Sequence, residues 1–200
     1  MNNLLELLAF AGIMAVAQFS PGPDMILLTR TSLRDGGRAG AIMASGIATG
    51  LAVHATIALS GAGYLLATES PWLPYAKALA SGYLLYLAVL VYRSGPPDED
   101  APPAADPRHY TRGLWCNLLN PKAALVLSSI CAPFLAGHRG PERPLALGTI
   151  IVGQGLILWV AWAYLLQHTA LRNGYQRYSL VINRCFAIIL VLLVILLWRR

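Results

Sequence analysis

Two proline interruptions fall inside apolar segments long enough to cross a bilayer: Pro21-Gly22-Pro23 early in the chain and Asn120-Pro121-Lys122 in its second half. Proline lacks an amide hydrogen and its ring clashes with the carbonyl one turn earlier, so each interruption releases backbone polar groups. At membrane depth those groups must be met by protein, which confines a broken helix to places that are buried or line a cavity. Pro23 and Pro121 lie 98 positions apart. Breaks in corresponding places of two halves mark a binding site at a repeat interface.

Composition fixes the solvent. Hydrophobic residues make up 56% and charged residues 12% of the 200 positions, and the mean hydropathy is +0.56. The chain reads as an integral membrane protein with the lipid bilayer as its first partner. Its formal charge of +6 does not point to nucleic acid, because the arginines are scattered between apolar runs and form no continuous basic face. Cys116, Cys131 and Cys185 make no CxxC and give neither a disulfide framework nor a zinc spacing. They read as small buried hydrophobes. The N-terminal run has no Lys or Arg ahead of it and carries Glu6, unlike a cleaved secretory signal, so the first helix is expected to remain.

A window of about 19 residues finds six runs able to cross a core of about 30 Å. They are Leu4 to Phe19, Gly40 to Leu66, Leu73 to Tyr92, Gly113 to Leu135, Leu145 to Leu166 and Leu180 to Trp198. The first and fourth are interrupted by the prolines. Between the third and fourth runs, residues 94–112 are rich in proline, alanine and acids and read as a flexible linker. Residues 1–93 then form one three-helix repeat and 113–200 a second. An odd number of spans per half forces the halves to enter the membrane in opposite senses. The expected fold is all-α, with six transmembrane helices as two inverted three-helix repeats and with helices one and four broken.

Lys and Arg near span ends set orientation. Arg30, Arg34, Arg38, Arg93, Arg108, Arg112, Arg172, Arg177 and Arg184 fall on one side, and Lys77, Arg139, Arg143, Arg199 and Arg200 on the other. The excess places the linker in the cytoplasm and both termini outside.

A helix broken at proline exposes amides at the start of the next half-helix, where partial positive charge suits a carboxylate. Asp24 and Lys122 stand beside two such starts. A charge at the bilayer centre costs about 2.5–3.5 kcal/mol on insertion scales, so neither should face lipid. They are expected either to approach each other and to be separated by a small zwitterionic substrate, or to snorkel and to cap a helix. Gln18 and Asn117, about a turn before their prolines, either line the pathway or bond carbonyls that the breaks release. The candidate substrate-binding set is therefore Gln18, Pro21, Gly22, Pro23, Asp24, Asn117, Asn120, Pro121 and Lys122. Asp24 and His54 are the candidate proton carriers, His54 being otherwise a satisfied buried histidine, and Gln154 is a weaker polar candidate. Gly36, Gly40, Gly46 and Gly50 read as a small-residue packing face of the second span. The tryptophans read as interface anchors.

The run Phe19-Ser20-Pro21-Gly22-Pro23-Asp24, then Asp35-Gly36-Gly37-Arg38-Ala39-Gly40, Gly46-Ile47-Ala48-Thr49-Gly50, Gly82-Tyr83-Leu84-Leu85-Tyr86-Leu87, and Arg112-Gly113 with Asn117 and Asn120-Pro121-Lys122-Ala123, resembles the LysE/RhtB family of amino-acid exporters. The resemblance covers nearly the whole chain. It implies six spans, no organic cofactor, a bacterial inner-membrane location and export of amino acids or close derivatives driven by the proton-motive force. The chain has no HExxH or GxSxG motif and no triad pattern, so an enzyme is not expected. A thiol-disulfide carrier would need cysteines in both halves, and all three follow residue 115. Export of an inorganic ion would call for clustered ligands, and Asp24 with His54 is too sparse a set, so no metal is expected. Small-residue faces serve contacts within and between chains alike, which leaves a homo-oligomer open.

Overall fold

The computed structural model describes residues 3–19, 22–60, 73–93, 108–135 and 140–198. Every element among them is helical: α1 (Asn3–Phe19), α2 (Pro23–Asp35), α3 (Gly37–Leu59), α4 (Leu73–Tyr92), α5 (Arg108–Leu118), α6 (Pro121–Leu135), α7 (Glu142–Leu165) and α8 (Thr169–Trp198). Pro23 and Pro121 each open a helix, where the missing amide hydrogen costs nothing and the fixed φ favours helical entry. The axis turns by 66° between α1 and α2 and by 58° between α5 and α6. Both interruptions are thus real bends. Pro21 lies outside the described residues. α3 and α7 are each long and apolar enough to cross a membrane alone, and four spans result if each bent pair counts as one.

α3 is the central helix, packed against α2, α5, α6 and α7, while α4 and α8 pair with each other. Its contact with α5 brings backbone against backbone. A Cβ on Gly46 would collide with the carbonyl oxygen of Tyr110, and one on Gly113 with the carbonyl oxygen of Met43. One turn on, Gly50 lies against the side chain of Asn117, 2.9 Å from a would-be Cβ. The two backbones therefore touch, as small residues allow in membrane helices.

The glycines do not form one face. Gly40 meets Ser32 of α2 and Ala163 of α7, not α5. Gly36 lies outside the helix altogether: it joins α2 to α3 at φ 93, a conformation that a side chain disfavours.

Several boundaries differ from the hydropathy runs, because hydropathy reports where lipid begins and not where the helical ladder begins. α3 starts at Gly37, and residues 61–66 of the expected run lie outside the described set. α5 starts at Arg108, five residues before Gly113, because its first turns pack on α3: His109 is buried and Tyr110 donates from its hydroxyl to Thr49 Oγ1 at 3.0 Å. The expected linker thus loses its last five residues to a helix, and 94–107 lie outside the described set. α8 starts at Thr169, so Arg172, Arg177 and Arg184 belong to a helix and not to a loop. The Arg184 guanidinium sits over the Tyr92 ring of α4 at 5.9 Å.

α7 contains a π turn at Ile150–Gln154. Such an insertion adds one residue to a turn, shifts the helical phase beyond it and loosens local carbonyls.

Replacing Gly46 by Val should force α3 and α5 apart, at a cost of about 1–3 kcal/mol or more. A Cβ on Gly82 would meet nothing within 4 Å. Gly46→Val is therefore expected to lower the unfolding temperature of detergent-purified protein by several degrees, and Gly82→Ala to leave it unchanged.

Candidate functional site

The two bends meet at one cavity of about 50 Å³. Its polar wall is Gln18 from α1, Gly22 and Asp24 at the start of α2, Asn117 and Asn120 at the end of α5, Lys122 at the start of α6 and Trp159 from α7. Met14, Met25, Leu51, Val126 and Leu127 supply apolar surface. The volume admits about three to five water molecules at 10–15 Å³ each. An amino acid would enter only if side chains moved.

Asp24 is the hub. Its Oδ2 accepts from Asn117 Nδ2 at 2.8 Å and from Asn120 Nδ2 at 2.7 Å, so an acid of the first half is held by two amides of the second. The sequence suggested that Lys122 would be its partner. Two carboxamides hold the carboxylate by hydrogen bonds, and Lys122 lies near it, its Nζ 3.1 Å from a would-be Cβ on Gly22. The Lys122 and Asp24 charges still act on each other across this short gap. The Cys116 thiol also lies beside the carboxylate.

The two half-helix starts differ. At α6, Asn120 closes the end: its Oδ1 accepts from Lys122 N at 3.0 Å, and its carbonyl accepts from Ala123 N at 3.1 Å. At α2, the N-cap is Gly22 and no side chain caps the helix. The amides of Asp24 and Met25 there have no intrahelical acceptor. Only one of the two expected anion-facing ends is therefore open.

Gln18 and Asn117 do not bond the carbonyls of their own breaks; both reach across the molecule. Gln18 Nε2 donates to Ile151 O in the π turn at 2.8 Å, and Gln154 of that turn donates back to Ala11 O in α1 at 2.9 Å. The break at Asn120 is instead met by His54, whose Nε2 lies 2.9 Å from Asn117 O. Since the partner is a carbonyl, Nε2 carries the hydrogen. This is the satisfied state of His54, at the hinge of α5 and α6.

These bonds fix which way each amide points. With their nitrogens donating, Gln18 and Asn117 turn their oxygens away from those partners. Four buried polar atoms of the cavity lining then have no hydrogen-bond partner among the described residues: Gln18 Oε1, Asp24 Oδ1, Asn117 Oδ1 and Trp159 Nε1. Unpaired buried polar atoms are uncommon, and here four belong to residues that line one cavity. No cluster of three or more His, Cys, Asp or Glu side chains occurs among the described residues.

A model of the LysE type translocator family matches residues 15–200. The chain belongs to the LysE type translocator family. This translocator is 28% identical over 183 residues to the threonine efflux protein of Escherichia coli (strain K12), covering 87% of this chain and 88% of that one. It is 26% identical over 181 residues to the homoserine/homoserine lactone efflux protein of Salmonella typhi, covering 86% of each. To the leucine efflux protein of Klebsiella pneumoniae it is 32% identical over 121 residues, 58% of this chain and 56% of that one. No solved structure matches the translocator. Family membership makes it a multi-pass transport protein of a bacterial inner membrane.

Sequence reasoning missed Trp159 and Cys116. Trp159 had one usable signal: it sits well inside its apolar run, away from the interface that anchors most membrane tryptophans. Cys116 had none, because only the fold brings its thiol to Asp24.

Asn120→Ala removes a donor from Asp24 and the cap of α6 together. The variant is expected to lose about 1–3 kcal/mol, measured as a drop in the thermal midpoint of the purified translocator; Asn120→Asp should lose at least as much, since it sets a second carboxylate against Asp24.

Proposed function

We propose that the translocator is a secondary active exporter of amino acids or close derivatives, driven by the proton-motive force and working by alternating access around the cavity between its two broken helices. The observation that carries this reading is the set of three buried oxygens with no hydrogen-bond partner among the described residues, on Gln18, Asp24 and Asn117, side chains that line one cavity together with Lys122 and an open helix N-terminus. An ammonium group has three hydrogens to give, and three acceptors await it. A carboxylate would take the Asp24 and Met25 amides and the Lys122 ammonium. The efflux proteins to which the chain is similar move threonine, homoserine or its lactone, and leucine, as their names state.

The same proposal gives the chain six spans in two inverted three-helix repeats, 1–93 and, with α5 included, 108–200, with the linker cytoplasmic and both termini outside. Paired contacts support the inversion. Gly50 of α3 lies against Asn117 before the second break, and Gly155 of α7 lies against Gln18 before the first, each with a would-be Cβ 2.9 Å away. Two closures flank the cavity. Beyond α1, Arg143 Nη2 donates to Glu6 Oε2 at 2.7 Å and Arg143 Nε to Phe134 O at 3.1 Å, beside a Phe10–Phe134 edge contact at 5.0 Å. On the opposite side, Phe19 meets Trp162 at 5.8 Å and Trp162 donates to Thr29. Opening either closure alone would expose the cavity to one side. Asp24, freed of its proton toward the inside, would accept the substrate ammonium, and His54 at the hinge would be the second carrier.

Cells preloaded with a labelled amino-acid panel test this. Wild type is expected to show efflux of an amino-acid class that a protonophore abolishes; Asp24→Asn, Lys122→Met and Pro121→Ala should each lose at least tenfold at matched abundance in the membrane. Wild-type rates in the first two variants would remove the site. No efflux above empty-vector cells would remove the substrate class.

A further inference from the structure

Three indole nitrogens with interior neighbours can be compared. Trp162 Nε1 donates to Thr29 Oγ1 at 3.0 Å and Trp198 Nε1 to Ser81 Oγ at 2.9 Å. Trp159 is only 2% exposed, yet its Nε1 has no partner among the described residues. A buried tryptophan nearly always finds an acceptor for this hydrogen, because leaving it unmade costs the full desolvation of the group.

The position of Trp159 says where its acceptor would come from. One turn before it, Gly155 lies against Gln18; about one turn after it, Trp162 reaches Thr29. Trp159, between these two contacts on α7, lines the same cavity as Asp24. The π turn just upstream sets this phase, and a regular helix would carry the indole to another face.

A count of donors and acceptors then assigns the indole. The three oxygens match the three hydrogens of an α-ammonium, and the α-carboxylate has two helix amides and Lys122. One donor is left over. We propose that Trp159 determines specificity: its Nε1–H takes an acceptor in the substrate's side chain, so the translocator favours amino acids bearing a side-chain hydroxyl over apolar ones of the same shape. This rests on the export reading above and extends it to the third arm of the substrate. A site built to bond a hydroxyl rejects the analogue lacking it, since its own polar group is then buried unpaired.

Threonine and valine have nearly the same shape and differ by hydroxyl against methyl, so efflux of each from equally preloaded cells is the test. Wild type should export threonine at least roughly tenfold faster than valine. In Trp159→Phe, which keeps a ring and removes the donor, the ratio should fall to within about twofold of one, while Trp159→Gln, which restores a donor, should retain part of the preference. Equal wild-type rates for the two amino acids overturn the proposal without any variant. So does a ratio in Trp159→Phe that stays at the wild-type value, or a Phe and a Gln variant that behave alike. If wild type exports other amino acids but neither of these two, the role of Trp159 falls and export stands; if it exports none, both fall.

Discussion

In a bilayer no water meets a backbone group that its own helix has released, and the rest of this structure follows from that constraint. Among the described residues the helical ladder is interrupted at Gly22, at Asn120 and in the π turn of α7, and side chains attend the carbonyls or amides at two of these interruptions. His54 attends the carbonyl at Asn117, Gln18 attends Ile151, and Asn120 caps α6 from its own break. The exception is the start of α2, which no side chain caps.

The cavity is also electrically economical. Asp24 stands in an interior that would penalise an isolated charge severely, and two neutral carboxamides share the load on one of its oxygens. Held by amides on one oxygen, the acid keeps its second oxygen without a hydrogen-bond partner among the described residues.

Much of this was legible in the sequence because proline is unambiguous. The bends, the residues flanking them and the proximity of Asp24 to the second break all followed from two prolines and the cost of charge in lipid. What escaped was set by tertiary contact. Nothing in a hydropathy run says that Gln18 will cross to α7, since an amide serves any carbonyl within reach. The π turn left no mark either, because Ile150–Gln154 is as apolar as a regular span, and with the turn went the placing of Trp159. Gly36 was misread because spacing alone makes it look like a partner of Gly40, whereas its positive φ is a property of the turn. The start of α8 was misread because arginines suggest water, although a helix can carry them past the membrane surface.

The interlock of Gly46 with Gly113 has a mechanical consequence. α3 belongs to the first half of the chain and α5 to the second, yet their backbones touch, and His54 and Asn117 tie them at the hinge. Two surfaces in such contact can pivot, but sliding would first have to lift one backbone clear of the other. The closest backbone packing at the described glycines is therefore between the two halves of the chain and not within either. α3 and α5 form a shared keel drawn from both halves, and the half-helices beyond the bends, α2 and α6, pack against it.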